Sequence, residues 1–282
     1  MILFLKRVVF YFLIIYISQA GVYYTFKAIF YKYSDFKFNR YFKNDDFDIF
    51  ILGNSRAVNS VNERQASLLS GKKVVNLGFN GMPFINIVDF IDDINEKYIG
   101  KIIFVEISSF FYETNISNEY AFYMENSNKI FFRFKNTRYR YIKLLSFNNE
   151  FFLRSLYYLN KSDQDFSNQY IINSNTIRSI SNSKPFNLIN DRHQFEERIQ
   201  IIQSKFDDKN NKVVFYLAPY FPTHLSKALD YNYLKEFFLK RTVTFIDLNQ
   251  YPIPNRYFAD RLHTNSNGAV FLTQKLLNSR IE

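Results

Sequence analysis

Several residue types that often build functional sites are missing or scarce in this chain of 282 residues. It has no cysteine and no tryptophan, and its three histidines are His193, His224 and His263. The lack of cysteine excludes disulfide frameworks, thiolate metal sites and cysteine nucleophiles. No two histidines stand at metal-ligand spacing, so we expect no metal and no other cofactor. Glycine is also scarce, with seven residues, and the G-x-G-x-x-G order of a dinucleotide fingerprint does not occur.

The charge balance is basic, with 36 Lys and Arg against 26 Asp and Glu and a formal net charge of +10. A hydrophobic content of 47% with 22% charged residues excludes a wholly disordered chain. The densest basic stretch, residues 129–143, also contains many aromatic residues. That pattern fits single-strand binding and equally the solvated face of an amphipathic helix. Because no nucleic-acid motif accompanies it, we predict no nucleic-acid partner.

The amino terminus carries an uncharged run at residues 8–26, preceded by Lys6 and Arg7 and followed by Lys27. Such a run is long enough to cross a hydrocarbon core of about 30 Å. Ser18-Gln19-Ala20 resembles a signal-peptide cleavage site. Residues 1–30 are therefore predicted to be a transmembrane anchor or a signal segment, and residues 31–44 a linker.

The orientation of that segment does not follow from charge, because positive residues crowd both of its flanks. Long domains cross membranes largely regardless of charge. We expect a single-pass protein of the cell membrane with its large domain, residues 45–282, on the extracytoplasmic side. Secretion after signal cleavage is the alternative.

Short apolar runs alternate with helical patterns in residues 45–282, which predicts an α/β fold. We expect a flavodoxin-like three-layer sandwich with about five parallel strands. A gap in this rhythm predicts a largely helical insertion at about residues 108–205. The predicted strands are 48–52, 73–77, 101–107, 212–217 and 243–248. The predicted helices are 62–70, 84–98, 191–206 and 266–278.

Three segments that follow predicted strands carry residues suited to chemistry. Ser55 follows the first strand and Gly53, where a serine is exposed at the sheet edge beside a helix start. The second segment, Asn76 to Gly81, has two glycines that let the backbone approach a ligand. In the third, Asp260 precedes His263 by three residues, so its carboxylate can orient the imidazole as a base. Ligands of doubly wound sheets bind at this carboxyl edge.

In this order the three segments resemble the SGNH/GDSL hydrolase superfamily. Residues 49–56 look like its first block, with Asn54 where Asp is common, residues 76–81 like its second block, and residues 260–263 like its final D-x-x-H. The resemblance implies that Ser55 is the nucleophile, His263 the general base and Asp260 its orienting carboxylate. It also implies an oxyanion hole that contains the N–H groups of Ser55 and Gly81.

The chain departs from the family at the third block, which commonly reads G-x-N-D and supplies a side-chain amide to the oxyanion. Here the residues after the third strand are Glu106-Ile107-Ser108-Ser109-Phe110. Asn80, Ser108 and Ser109 are the candidates for the missing donor, and Asn80 is the one assigned to the hole. Losing one such donor typically slows a reaction about 100- to 1,000-fold.

Other polar residues divide between substrate binding and plain structure. Arg56, Tyr220 and His224 are candidate substrate-binding residues, because they follow the first and fourth strands. Asp191-Arg192-His193 is interpreted as a helix cap and a surface histidine.

Membrane-anchored relatives of SGNH hydrolases transfer or remove acyl groups on envelope polymers. The resemblance therefore implies a serine esterase or O-acyltransferase that acts through an acyl-serine on a surface polysaccharide, with acetyl as the expected group. A multi-spanning membrane acyltransferase is a candidate partner. The alternatives are an inactive SGNH-fold binding or assembly protein and a secreted lipase or esterase.

Overall fold

The computed structural model of the chain describes residues 2–43, 46–114, 120, 123–124, 149–160, 172–206 and 210–279. The chain divides into two compact units. The amino-terminal unit contains Met1–Asn44 and Ser117–Asp165, and the sheet unit contains Asp45–Ile116 and Phe166–Glu282. Residues 129–143, the basic stretch, lie outside the described residues.

The sheet unit is built on one five-stranded parallel sheet with the strand order β2-β1-β3-β4-β5. This is the flavodoxin-like order, so the predicted fold class is confirmed. The predicted strands are present, with ends that differ by at most two residues. They are β1 Ile49–Leu52, β2 Val74–Asn76, β3 Ile102–Glu106, β4 Lys212–Leu217 and β5 Phe245–Asp247.

The four predicted helices of this unit are also present, together with shorter helices that the sequence pattern did not predict. In chain order, the helices with bounds among the described residues are α1 Ile2–Tyr33, α2 Lys37–Phe42, α3 Ser55–Ser60, α4 Glu63–Ser70, α5 Phe84–Lys97, α6 Asn149–Asn160, α7 Ser174–Ser181, α8 Arg192–Ser204, α9 Pro222–Leu225, α10 Tyr231–Leu239 and α11 Ser266–Asn278. Within the described part of the chain, short 3-10 helices follow strands or loops at Ile107–Phe110, Leu248–Gln250 and Asn255–Tyr257.

Helices cover both faces of the sheet, which gives the three layers. On one face, Phe104 and Tyr216 belong to a buried cluster with Leu272 of α11 and with side chains of α3 and α4. On the other face, the Phe215 ring of β4 contacts Phe238 of α10. These faces alternate along each strand because successive side chains of a strand point to opposite sides. The strands are therefore buried on both sides, as their continuous apolar runs predicted.

The amino-terminal unit begins with α1, which is long and apolar enough to be a membrane span or a signal sequence. It has 32 residues and its most apolar window has a mean hydropathy of 1.7. At about 1.5 Å per residue its length is about 48 Å, which exceeds a hydrocarbon core of about 30 Å. Large side chains from Ile2 to Ile17 are exposed, whereas Tyr23 and Phe30 are buried.

Residues 31–44 are not the linker that the sequence suggested. They contain the end of α1 and the short helix α2, and Phe36 and Phe38 are buried. The Phe36 ring lies 4.3 Å from that of Tyr123 and 4.5 Å from that of Tyr158, centroid to centroid. Aromatic side chains distant in the sequence hold this segment, which is why its own composition did not reveal a packed structure.

The predicted insertion at about 108–205 also has different limits. The part that separates from the sheet unit is Ser117–Asp165. The 3-10 helix Ile107–Phe110 and α8 belong to the sheet unit, where Phe195 and Ile199 are fully buried. The apolar face of α8 therefore completes a layer of the sandwich. Helices α6, α7 and α8 all lie within residues 108–205, and they agree with the helical character expected for that range.

Candidate active site

Ser55 lies at the carboxyl edge of the sheet, on a turn that joins β1 to α3. Gly53 has a φ of +143°, and a Cβ atom there would lie 2.8 Å from the Cβ of Glu106. The turn therefore requires glycine. Asn54 is the N-cap of α3 and its side chain accepts a hydrogen bond from Arg56 N at 2.9 Å. Ser55 becomes the first residue of the helix, between two residues that are held in place.

The structure brings Ser55, His263 and Asp260 together although 208 residues separate the serine from the histidine. Ser55 Oγ lies 2.8 Å from His263 Nε2, and His263 Nδ1 lies 2.8 Å from Asp260 Oδ2. When Nδ1 carries the proton and donates it to the carboxylate, Nε2 is left to accept the serine proton. This is the arrangement of a nucleophile, a base and an orienting carboxylate.

Asp260 and His263 are parts of one short hairpin, closed by an antiparallel bridge between Phe258 and Thr264. Ala259 N donates to His263 O at 2.9 Å within it. Asp260 Oδ1 accepts from the backbone N–H groups of Leu262 at 2.7 Å and His263 at 2.8 Å. Each carboxylate oxygen therefore has its own partners, and Oδ2 is aimed at the imidazole.

The ionisation of Asp260 follows from these contacts. Partial burial would raise the pKa of its carboxyl group, but the hydrogen bond and charge of His263 and two backbone N–H groups outweigh burial and lower the pKa. The carboxylate therefore remains charged wherever His263 is needed as a base. Its side chain is 49% exposed and that of His263 is 22% exposed, so the imidazole can be reached from solvent.

The second predicted segment lies beside the Ser55 turn. Phe79 N donates to Gly53 O at 3.0 Å, and a turn closes from Met82 N to Phe79 O at 2.9 Å. Asn80 and Gly81 are the exposed central residues of that turn, and Gly81 has a φ of +70°. The segment is thus next to the nucleophile's turn, while the oxyanion role of Gly81, Asn80 and the Ser55 N–H stays a prediction.

Asn76 holds this segment, a role that the sequence reasoning did not assign. Its buried amide donates to Ala57 O and Val61 O, each at 3.0 Å, and its Oδ1 accepts from Gly78 N at 3.0 Å. A buried asparagine at the end of an apolar strand was the signal for it, because buried amides need several hydrogen-bond partners.

Where the third block of the family would stand, the structure has a buried carboxylate. Glu106 is fully buried, and its Oε2 accepts from the Ser108 hydroxyl at 2.5 Å. Burial raises the pKa of Glu106, although the charge of Arg56 opposes that effect. Ser108 is thus occupied by Glu106 and is not the missing oxyanion donor. Ser109 is fully buried, and its hydroxyl has no hydrogen-bond partner among the described residues.

Arg56 does not present its charge to a substrate, which corrects the sequence-based expectation. Its side chain is only 3% exposed and its Nε lies 3.5 Å from Glu106 Oε1. Its other nitrogens donate to Leu262 O and Ala218 O. The guanidinium is also stacked on the Tyr220 ring at 3.5 Å from its centroid. The buried Arg56 guanidinium therefore joins segments of the protein to each other and is not available to a substrate.

Tyr220 and His224, the other two candidate substrate-binding residues, are also buried. The His224 ring stacks on Phe186 at 4.3 Å, and desolvation lowers the pKa of its imidazole, with the charges of Arg261 and Arg56 adding to the effect. Tyr220 lines a cavity of about 270 Å³ beyond β4 and β5, together with Tyr231, Tyr251 and Phe258. Of the three candidates, the cavity includes Tyr220 alone. Among the described residues, no group of three or more His, Asp and Glu is placed to hold a metal ion.

Comparisons with known proteins add little to this geometry. No protein-family model matches the chain, and no curated protein matches it at a significant level. Among solved structures, it is similar to a crystal structure of a candidate acylhydrolase from Bacteroides fragilis. The identity is 12% and the TM-score 0.36, over 85% of this chain and 90% of that one. A likeness this weak carries no functional conclusion, so function must be inferred from the side chains themselves.

Proposed function

We propose that this protein is a serine esterase or O-acyltransferase of the SGNH type, with Ser55 as its nucleophile. The observation that carries the proposal is the pair of 2.8 Å contacts from Ser55 Oγ to His263 Nε2 and from His263 Nδ1 to Asp260 Oδ2. Such contacts fall within the range at which a base can take a proton from a nucleophile. The alignment joins two half-buried side chains from segments that are distant in the sequence, and the fold does not need it for packing.

The reaction has two halves that use the same three residues. In the first, His263 Nε2 takes the Ser55 proton while Oγ attacks the acyl carbonyl carbon, and the departing alcohol oxygen receives that proton. An acyl-serine remains. In the second, His263 takes a proton from water or from a sugar hydroxyl, whose oxygen attacks the acyl carbon and restores the serine. Water gives hydrolysis and a sugar hydroxyl gives transfer.

The proposed location starts from α1, whose length and apolar character fit a membrane tether. The envelope side and the substrate class are part of the proposal and rest on the resemblance to membrane-anchored SGNH proteins. We propose that the enzyme acts on acyl groups, with acetyl as the first choice, of a surface polysaccharide, and that a multi-spanning membrane acyltransferase supplies them. If α1 is instead a cleaved signal, the same triad fits a secreted esterase.

The test is covalent labelling and turnover with the full-length protein in detergent micelles. The wild type should react with a fluorophosphonate probe and hydrolyse p-nitrophenyl acetate, and Ser55→Ala should lose both. Ser70→Ala is the matched control, because that hydroxyl donates to Ala66 O on α4 and lies toward the opposite edge of the sheet. The enzyme proposal is wrong if labelling and turnover do not depend on Ser55.

A second candidate function is favoured by one observation. The third-block position holds Glu106 and an occupied Ser108 and has no side-chain amide for the oxyanion. An SGNH fold without that donor suits a binding or assembly protein of envelope polymer synthesis. Retention of an acylated oligosaccharide by both wild type and Ser55→Ala, with no turnover by either, would favour this candidate over the enzyme.

A further inference from the structure

A buried ion pair lies directly behind Ser55 and is not used in the chemistry described above. Arg56 and Glu106 have side-chain exposures of 3% and 0%. They come from neighbouring strands of the sheet, since Arg56 follows β1 and Glu106 ends β3. Burying two charges is costly and is often no better for stability than apolar packing. The pair therefore calls for a role besides holding the fold.

The guanidinium of Arg56 connects the two halves of the triad. Its Nη1 donates to Leu262 O at 3.1 Å, and Leu262 is the residue before His263. Arg56 itself is the residue after Ser55. One side chain thus spans from the backbone of the nucleophile to the backbone of the base, while its Nη2 donates to Ala218 O at the end of β4.

Glu106 completes a closed ring of contacts around the Ser55 turn. Its Oε2 accepts from Ser108 Oγ at 2.5 Å, and Ser108 Oγ accepts from Asn54 Nδ2 at 3.0 Å. Asn54 Oδ1 accepts from Arg56 N at 2.9 Å. Arg56 Nε closes the ring as an ion-pair contact, without a hydrogen bond, 3.5 Å from Glu106 Oε1. Asn54 and Arg56, the neighbours of Ser55 in the chain, are both members of this ring.

We propose that Arg56 is a positioning residue for the triad, held in place by Glu106, and that it sets the distance between Ser55 Oγ and His263 Nε2. The planar fork of Arg56 donates to two carbonyl oxygens while its charge faces the Glu106 carboxylate, which a lysine ammonium on a flexible stem cannot reproduce. Arg56→Lys therefore keeps the charge beside Glu106 and loses the link to Leu262. The expected loss of reaction rate rests on the proposed function, whereas the expected change in the distance between Ser55 Oγ and His263 Nε2 does not.

Arg198 provides a matched control within the same unit. It is also buried, and its guanidinium donates to Phe110 O at 3.0 Å and pairs with Glu113 at 3.3 Å. These partners all lie on the segment after β3, outside the Ser55 turn and the His263 hairpin. Arg198→Lys should cost stability as Arg56→Lys does, but it should leave the triad in place.

The experiment compares fluorophosphonate labelling rates and melting temperatures of full-length wild type, Arg56→Lys and Arg198→Lys in micelles. Displacement of a reacting group by about 1 Å costs about 100-fold in rate, so Arg56→Lys should label about 100-fold more slowly than wild type. Arg198→Lys should label at the wild-type rate with a similar fall in melting temperature. Equal labelling rates for the two variants would overturn the positioning role.

Two further experiments accompany the comparison of labelling rates. If Arg56→Lys fails to fold, the double variant Arg56→Met with Glu106→Gln leaves no unpaired buried charge, and it should regain the melting temperature but not the labelling rate. Recovery of both would contradict the proposal.

The second of these experiments needs no activity. In histidine labelled with ¹⁵N, the His263 Nε2 resonance of Arg56→Lys should move to the position it has in Ser55→Ala, because both lose the serine contact. A resonance that stays at the wild-type position would overturn the inference. Absence of labelling in the wild type would instead count against the proposed function, and the resonance would then decide the positioning role alone.

Discussion

Two segments of this chain have nearly the same sequence and opposite uses, Asp191-Arg192-His193 and Asp260-Arg261-Leu262-His263. The first segment begins a helix of the sheet unit, since Arg192 and His193 are the first residues of α8, and the second lies shortly before α11. In the first, Asp191 is the N-cap of α8 and its carboxylate accepts from Gln194 N at 3.1 Å. His193 is left exposed at the surface. The carboxylate is used by the helix, so no acid–base pair forms.

In the second segment the helix has a different cap. Asn265 caps α11 and accepts from Gly268 N at 3.1 Å, so Asp260 is not needed for that purpose. Its carboxylate turns to His263 instead. In this chain the aspartate that caps a helix forms no pair with the neighbouring histidine, whereas Asp260, which Asn265 relieves of capping, pairs with His263.

Exchange of the two histidines for glutamine gives the largest expected difference between the segments. His263→Gln should lower kcat/KM for p-nitrophenyl acetate by about 10⁴- to 10⁶-fold, because the serine loses its base. His193→Gln should leave kcat/KM unchanged, since that ring is on the surface. Equal losses in both variants would show that the imidazole of residue 263 has no special part in turnover.

A smaller loss is expected when only the orientation of the base is changed. Asp260→Asn should lower kcat by about 10⁴-fold, because an amide in place of the carboxylate favours the wrong imidazole tautomer. Steady-state kinetics of Asp260→Asn and Asp191→Asn measure the difference. Asparagine caps a helix as well as aspartate does, so the Asp191 variant should match wild type in both activity and stability. If Asp260→Asn kept wild-type activity, the carboxylate of Asp260 would have no role in orienting His263 for the reaction.

The smallest effect concerns stability in acid. The pKa of Asp260 is lowered in the folded state by His263 and backbone N–H groups, despite partial burial. Wild type should therefore be more stable than Asp260→Asn above the ordinary carboxyl pKa of about 4, by no more than about 1 kcal/mol for a pair this exposed. As pH falls through the lower folded value, the carboxylate takes up a proton and the advantage disappears. Urea unfolding of both proteins from about pH 7 to pH 3 tests the sign. An advantage that grows with acid would contradict it.

The parts of this protein that are local in sequence were predictable from the sequence. The five strands read as short apolar runs because parallel strands are buried on both faces. The pairing of Asp260 with His263 follows from a spacing of three residues. Thr264 and Asn265 are both polar residues before an apolar helical face, which is a sequence signal for a cap, and Asn265 is the one that caps α11.

The contacts that arrange the site were not predictable, because they join distant segments. Nothing near Arg56 in the sequence indicates that its charge is buried against Glu106 or that it reaches Leu262. A helix start was expected beside Ser55, but the six residues of α3 give no helical period from which to read its bounds. The packed structure of residues 31–44 depends on Tyr123 and Tyr158. One signal was available: Glu106 is the single charged residue in the strand IIFVE. A lone carboxylate on a fully buried strand needs a buried partner.

The hairpin closed by Phe258 and Thr264 has a mechanical consequence. Because Asp260 and His263 share this one small piece of backbone, any outward motion of the hairpin carries the carboxylate and the imidazole together. Such a motion would separate His263 Nε2 from Ser55 Oγ without separating His263 Nδ1 from the Asp260 carboxylate. The ring nitrogen that meets the serine on return would then still be the one that does not face Asp260.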